Sequence, residues 1–176
     1  MNVGALSALL NANVGPQAEF LPEKVSDRRL AETMVAFANA QGGTIVVGMK
    51  GGAPAGLEHP AAARQRAIDL AQRIDPPLHI PLPMLMELND ATLLLISIPA
   101  GLPHVYAVDG RFLRRQGRRN EPLAGAALRE LLLSRSGADF EAEIVEEATL
   151  ADLDRERVLE YARMLSAGES DPARLL

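Results

Sequence analysis

The chain contains no cysteine, and aromatics make up only 3% of its 176 residues. Without thiols it can form no disulfide, no cysteine–zinc site and no thiol nucleophile, an absence that suits a cytoplasmic protein. The few aromatics leave a stacking platform for single-stranded bases poorly supplied, with Tyr106 and Phe112 as the only candidates in the downstream hairpin. Histidine is scarce too. His59, His79 and His104 show none of the close spacing to another histidine or a carboxylate that a metal site uses. No run approaches the roughly 20 apolar residues of a membrane-spanning helix. A basic segment followed by an apolar one, as in a secretory leader, is also missing. Neither Gly-x-Gly-x-x-Gly nor Gly-Lys-Ser/Thr occurs, so the glycine-rich stretch over 50–57 reads as a mobile exposed loop. The expectation is no cofactor, no metal and no membrane partner.

What is present is a hydrophobic fraction of 48%, enough for a real core. The net charge of −5 is unevenly spread. Residues 1–137 carry 14 Lys and Arg against 12 Asp and Glu, whereas residues 138–176 carry 4 against 11. The acidity belongs to the tail, so an acidic whole does not exclude a polyanionic partner for the first part.

The stretch AFANAQGGTIVVGM over 36–49 carries the strongest local signal. A helical period over 27–40, with Ser26 as N-cap, stops at Gly42-Gly43 and becomes an apolar strand over 44–49 buried on both faces. Pro60 begins a second helix with Ala63, Ala67, Leu70, Ala71 and Ile74 inward, ended by Asp75-Pro76-Pro77. Runs over 84–88 and 92–98 flank Asn89-Asp90, and runs over 105–108 and 111–115 flank Asp109-Gly110, so two hairpins are predicted. A third helix covers 123–136, with Leu128, Leu131 and Leu132 inward and Gly137 as its stop. An acidic connector and a last amphipathic helix near 152–166 follow. The fold expected is α+β: a mixed sheet of about five to six strands with two hairpins, packed by three helices, plus the C-terminal amphipathic helix. Its parts are an N-terminal arm over 1–16, a domain over 17–137, and the connector and helix over 138–176, which would lead to further domains.

Glu19-Phe20, the AFANAQGGTIVVGM block, the 51–57 turn, the IDPP helix end, LLLISIP, PHVY, and FLRRQG before the third helix occur in an order that resembles the AlbA-type Schlafen domain of prokaryotic proteins. The resemblance covers 17–136. It implies a DNA-binding module of transcriptional regulators or helicase-related proteins, and makes Arg115-Gln116-Gly117 the family's Arg-x-Gly element. Two departures stand out. Leu21 replaces the lysine of the family's frequent Glu-Phe-Lys. Val14 stands where eukaryotic relatives with ribonuclease activity have a second glutamate, which argues against a metal-dependent ribonuclease.

The sharpest chemistry is Arg111, Arg114, Arg115, Arg118 and Arg119, five arginines in nine residues with no acid between them. On a strand, Arg111 and Arg115 share one face and Arg114 the other, while Arg118 and Arg119 are expected in a loop beyond Gly117. Such a group suits phosphates, provided it lies open to water. The alternative is a solvated hairpin with Arg115 paired to a carboxylate such as Glu121. Lys24, Arg28 and Arg29 form a second basic group at the start of the first helix, with Glu23, Asp27 and Glu32 as local partners in the plainer reading, and Lys50 is an accessory phosphate contact. Glu19, Glu23 and Asp27 recur every four residues, but Pro22 opposes a continuous helix through them. The leading expectation is a non-catalytic nucleic-acid-binding module, DNA first, in a transcriptional regulator. The alternatives are an interaction or homodimerisation module acting through the C-terminal segment, and a metal-dependent ribonuclease with an incomplete carboxylate set.

Overall fold

The computed structural model describes residues 15–135 together with Asp154 and Arg157. The expected arm up to residue 14, the helix stop at Gly137, and the connector and last helix with their dimerisation role therefore lie outside the described residues, those two excepted. Strand β1 (Ala18–Leu21), helix α1 (Asp27–Ala38) and strand β2 (Gly43–Val47) open the fold. β1 and β2 run parallel, with Glu19 opposite Ile45 and Phe20 opposite Val46. β1 escaped sequence reading because four residues are too few for a period to register.

Helix α1 starts where Ser26 accepts a hydrogen bond from the Arg29 amide at 3.3 Å. It ends at Asn39, whose fully buried side chain ties it to the distant part of the chain. Asn39 Oδ1 accepts from the Tyr106 amide at 2.8 Å, and Nδ2 donates to the carbonyls of Tyr106 at 2.7 Å and Leu113 at 2.9 Å. Glycine is required immediately afterwards. A Cβ on Gly42 (φ +68) would lie 2.5 Å from the Ile98 carbonyl oxygen, and one on Gly43 (φ +154) 2.7 Å from that of Gln17.

Strand β3 (Met49–Lys50) and strand β4 (Ala53–Pro54) form a small hairpin inside the stretch expected to be a plain loop. Gly51 and Gly52, both at positive φ, supply its turn. Helix α2 (Pro60–Arg73) begins at the expected proline, but its cap comes from elsewhere. Glu23 Oε1 accepts from the amides of Glu58 at 2.8 Å and His59 at 3.2 Å. Strand β5 (Met84–Leu88) and strand β6 (Ala91–Ile98) form the first expected hairpin, and Asn89 and Asp90 both take positive φ at its turn. β6 also pairs with β2, giving a mixed sheet in the order β1-β2-β6-β5.

Strand β7 (Ala107–Val108), strand β8 (Arg111–Gln116) and strand β9 (Arg119–Pro122) make a separate antiparallel ribbon in that order. Arg119 therefore belongs to a strand and not to the expected loop. Gly117 at φ 54 turns the chain tightly enough for Gln116 to pair with Arg119. Helix α3 (Gly125–Arg135) closes the continuous described stretch. Among the described residues 15–135 the structure is α+β with three helices, as expected, and the strands divide into a four-stranded mixed sheet and two smaller sheets.

Helix α1 packs between the four-stranded sheet and the ribbon, which is why residues on several of its faces are buried. The main core joins Leu30, Met34 and Phe37 of α1 to Ile45, Leu94 and Ile96 of the sheet, Leu70 and Ala71 of α2, and Leu113 of the ribbon. Each fully buried side chain of this size contributes about 1.5–3 kcal/mol. The other sheet face buries Val46, Leu93 and Leu95, so β2 is covered on both sides. Helix α3 buries Leu131 with Leu128 half-buried, but Leu132 is exposed, against expectation. The line through 128, 131 and 135 faces the domain, and Leu132 lies one residue round the helix from it. Among the described residues no helix is long and apolar enough to cross a membrane.

Candidate nucleic-acid interface

Strand alternation divides the arginine cluster into two chemically different sets. The inward face of β8 carries Arg111, Leu113 and Arg115, and the outward face carries Arg114 and Gln116. Arg115 does not lie open to water: its side chain is 1% exposed. Its Nη2 donates to Glu19 Oε2 at 2.6 Å and to the carbonyls of Gly15 and Ala18, Nη1 donates to Asn120 Oδ1 at 2.8 Å, and the guanidinium stacks on the Phe37 ring at 5.0 Å. The carboxylate partner is thus Glu19 of β1 and not the nearby Glu121. These donors are spent within the chain, which corrects the expectation that Arg115 meets an outside phosphate.

Arg111 is likewise engaged, pairing with Glu32 of α1. Glu32 also accepts from Arg28 Nε at 2.9 Å, and this pairing raises the Arg28 pKa from its ordinary value, chiefly through that hydrogen bond. Glu19 has a second cation as well, Arg29 at 3.6 Å. The α1–β8 contact therefore holds two rungs, each with one carboxylate between an α1 arginine and a β8 arginine. Arg28 and Arg29 remain 68% and 66% exposed at the outer ends.

The outward face of the ribbon is different. Arg114, Gln116 and Arg119 are exposed, Arg119 stands opposite Gln116, and Arg118 is exposed at the turn. Among the described residues, no carboxylate lies within ion-pair distance of Arg114 or Arg119, although Glu121 sits across the strand pair from Arg114. Arg114 also faces Arg135 of α3, a residue that the sequence reading passed over as a helix end. Arg135 Nη1 donates to the Ala38 carbonyl at 3.0 Å and to the His104 carbonyl at 2.5 Å, satisfying the last turn of α1. Burial lowers the Arg135 pKa from its ordinary value; Tyr106 opposes this, and the Arg114 charge adds to it. The available signal was a basic residue in the last turn of a helix, which sequence alone cannot distinguish from a solvated cation.

Lys24 and Lys50 are exposed and line an open cleft of about 570 Å³, together with Glu23, Glu58 and Asp90. Three carboxylates against two ammonium groups make that cleft a poor host for an anion. Glu19, Glu23 and Asp27 do not converge. Glu19 serves Arg115 and Arg29, Glu23 caps α2, and Asp27 pairs with Arg66 at 2.6 Å. Among the described residues no group of three or more His, Cys, Asp or Glu could hold a metal ion. Tyr106 is buried, and Phe112 is half-buried, so neither offers an open ring face for a base.

A family model described as "Schlafen, AlbA_2" matches residues 17–124. No curated protein matches the chain. Among solved structures, the DIP2311 protein from Corynebacterium diphtheriae is 20% identical with a TM-score of 0.56, over 96% of this chain and 40% of that one. The N-terminal domain of a RecG-related protein from Nitrosomonas europaea is also 20% identical, with a TM-score of 0.47, over 67% of this chain and 88% of that one. The chain thus spans 40% of the length of the first of these structures.

Proposed function

The chain belongs to the Schlafen AlbA_2 family, and on that premise we propose that it is a non-catalytic nucleic-acid-binding module of a transcriptional regulator, with duplex DNA as the first partner to test. The observation that carries this reading is the outward face of the β8–β9 ribbon, where Arg114 and Arg119 are exposed with no carboxylate within ion-pair distance among the described residues. Gln116 stands opposite Arg119 and Glu121 opposite Arg114, so this face presents two forked donors, an amide and one carboxylate that forms no ion pair with either arginine. A two-stranded ribbon fits the major groove of duplex DNA, and phosphate contacts there fix position without reading sequence.

Each phosphate neutralised releases counterions, so affinity falls with salt at a slope of about 0.9 per contact. Replacing Arg114 and Arg119 together by Ala should flatten that slope by about 2 and weaken binding alike on unrelated sequences. Fluorescence anisotropy of labelled duplex across a salt series reads both effects. An unchanged slope in this double variant would remove the ribbon from the interface.

A further inference from the structure

We propose that the open cleft between the end of α1, the 101–103 loop and α3 is a binding site for a single phosphate group, held between Arg114 and Arg135. The cleft measures about 480 Å³, and among the described residues its lining includes both arginines, Gln41 and Ser134 but no carboxylate. Arg135 is set in advance. Nη1 is anchored on the carbonyls of Ala38 and His104, while among the described residues Nε and Nη2 have no hydrogen-bond partner. The same anchoring occupies the carbonyl end of α1, whose partial negative charge would otherwise repel an anion at this place. Arg114 approaches from the ribbon and also lacks an ion-pair partner among the described residues. Two guanidinium groups facing across a cleft repel one another, and burial together with Arg114 accordingly lowers the Arg135 pKa from its ordinary value. A phosphate relieves that repulsion and takes a forked pair of hydrogen bonds from each arginine. Glu121, across the strand pair from Arg114, is the nearest competitor identified by register and does not line the cleft.

The inference rests on the proposed function only through Arg114, which the ribbon face and the cleft share. The phosphate can come from the end of a nucleic-acid strand or from a free phosphorylated compound. The test is calorimetric titration of the full chain with inorganic phosphate, with chloride as control. Saturable binding is expected with a dissociation constant of about 1 mM. Because removing Arg135 also frees the end of α1, the decisive variant is Ser134→Asp. It adds a carboxylate at an exposed position of the cleft and gives up only the hydrogen bond to the Leu131 carbonyl. Ser134→Asp and Arg114→Gln should each weaken phosphate binding about tenfold or more while leaving the thermal midpoint within a few degrees.

Duplexes with and without a 5′-phosphate separate the sources. A gain with the terminal phosphate, cancelled by Ser134→Asp, identifies the strand end; equal affinity alongside retained phosphate binding identifies a free ligand. Absence of saturable binding, or binding unchanged in Ser134→Asp, overturns the site. Phosphate binding with no duplex binding at all would instead sink the ribbon reading and leave the cleft standing.

Discussion

Replacing Arg115 by Ala should strongly destabilise this domain without removing a nucleic-acid contact. Among the described residues the substitution leaves Glu19, itself mostly buried, with only Arg29 at 3.6 Å, and it strips donors from the carbonyls of Gly15 and Ala18 and from Asn120 Oδ1. Removing one partner of a buried ion pair costs about 3–5 kcal/mol, because the other charge stays desolvated. Whole-domain stability is about 5–15 kcal/mol, so the loss consumes a large part of it. For a domain of this size the thermal midpoint should fall by about 10–20 °C. Arg115→Lys keeps the charge but cannot span Glu19, Gly15 and Asn120 at once, and should lose roughly half as much. Arg119→Ala, on an exposed strand position, should stay within about 0.5 kcal/mol of the parent.

Thermal and urea denaturation of the three variants, with anisotropy on duplex DNA at two salt concentrations, distinguishes the roles. Arg115→Ala should shift stability and, in the fraction that remains folded, leave the salt slope alone. Arg119→Ala should do the reverse. If Arg115→Ala kept the parental midpoint yet flattened the salt slope, Arg115 would be a surface residue in solution, and the division of the cluster into inward and outward sets would be wrong.

Asn39→Ala removes three hydrogen bonds to the backbone of Tyr106 and Leu113 at a buried position, and should cost about 3–5 kcal/mol in urea unfolding. Glu23→Ala uncaps α2 and should cost about 1 kcal/mol, read from the shift of the urea midpoint. Tyr106 has its pKa raised by burial, with Arg135 opposing. The unfolded tyrosine then ionises first as pH climbs past about 10, so the unfolded state holds fewer protons and stability falls through that window. Tyr106→Phe should match the parent near neutral pH and lose stability less steeply above that value, as followed by circular dichroism.

The parts of the fold written in local chemistry were readable from sequence. Ser26 as an N-cap, Pro60 at a helix start, the Asn89-Asp90 and Asp109-Gly110 turns, and the Gly42-Gly43 junction each act within a few residues, and each stands where expected. What depends on distant partners was not readable. β1 exists because β2 pairs with it, α2 is capped by a glutamate 35 residues away, and Asn39 reaches across 67 and 74 residues to the ribbon. The candidate site divides in the same way. Alternation on β8 correctly put Arg114 opposite in direction to Arg111 and Arg115. It could not say which face looked inward, because the carboxylates that decide this, Glu19 and Glu32, lie on β1 and α1. Arg135 was invisible as a partner for Arg114 because its anchoring carbonyls come from α1 and the 101–104 stretch.

Engagement of Arg111 and Arg115 does not remove positive charge from this part of the molecule. Each rung holds two guanidinium groups and one carboxylate, so each retains an excess of one positive charge, displayed at the exposed ends of Arg28, where Asp109 partly offsets it, and Arg29. Arg114 and Arg119 present theirs on the face of the ribbon opposite to Arg111 and Arg115. The inward arginines thus fix the ribbon onto α1, and that rigid attachment holds the outward pair in register with each other. A loop bearing the same five arginines would lose side-chain and backbone freedom on meeting a polyanion; a ribbon pinned by two ion-paired rungs has already lost much of it on folding. On the proposed function, Arg115 would serve recognition as a positioning residue, through the neighbours it holds in place and without touching the partner itself.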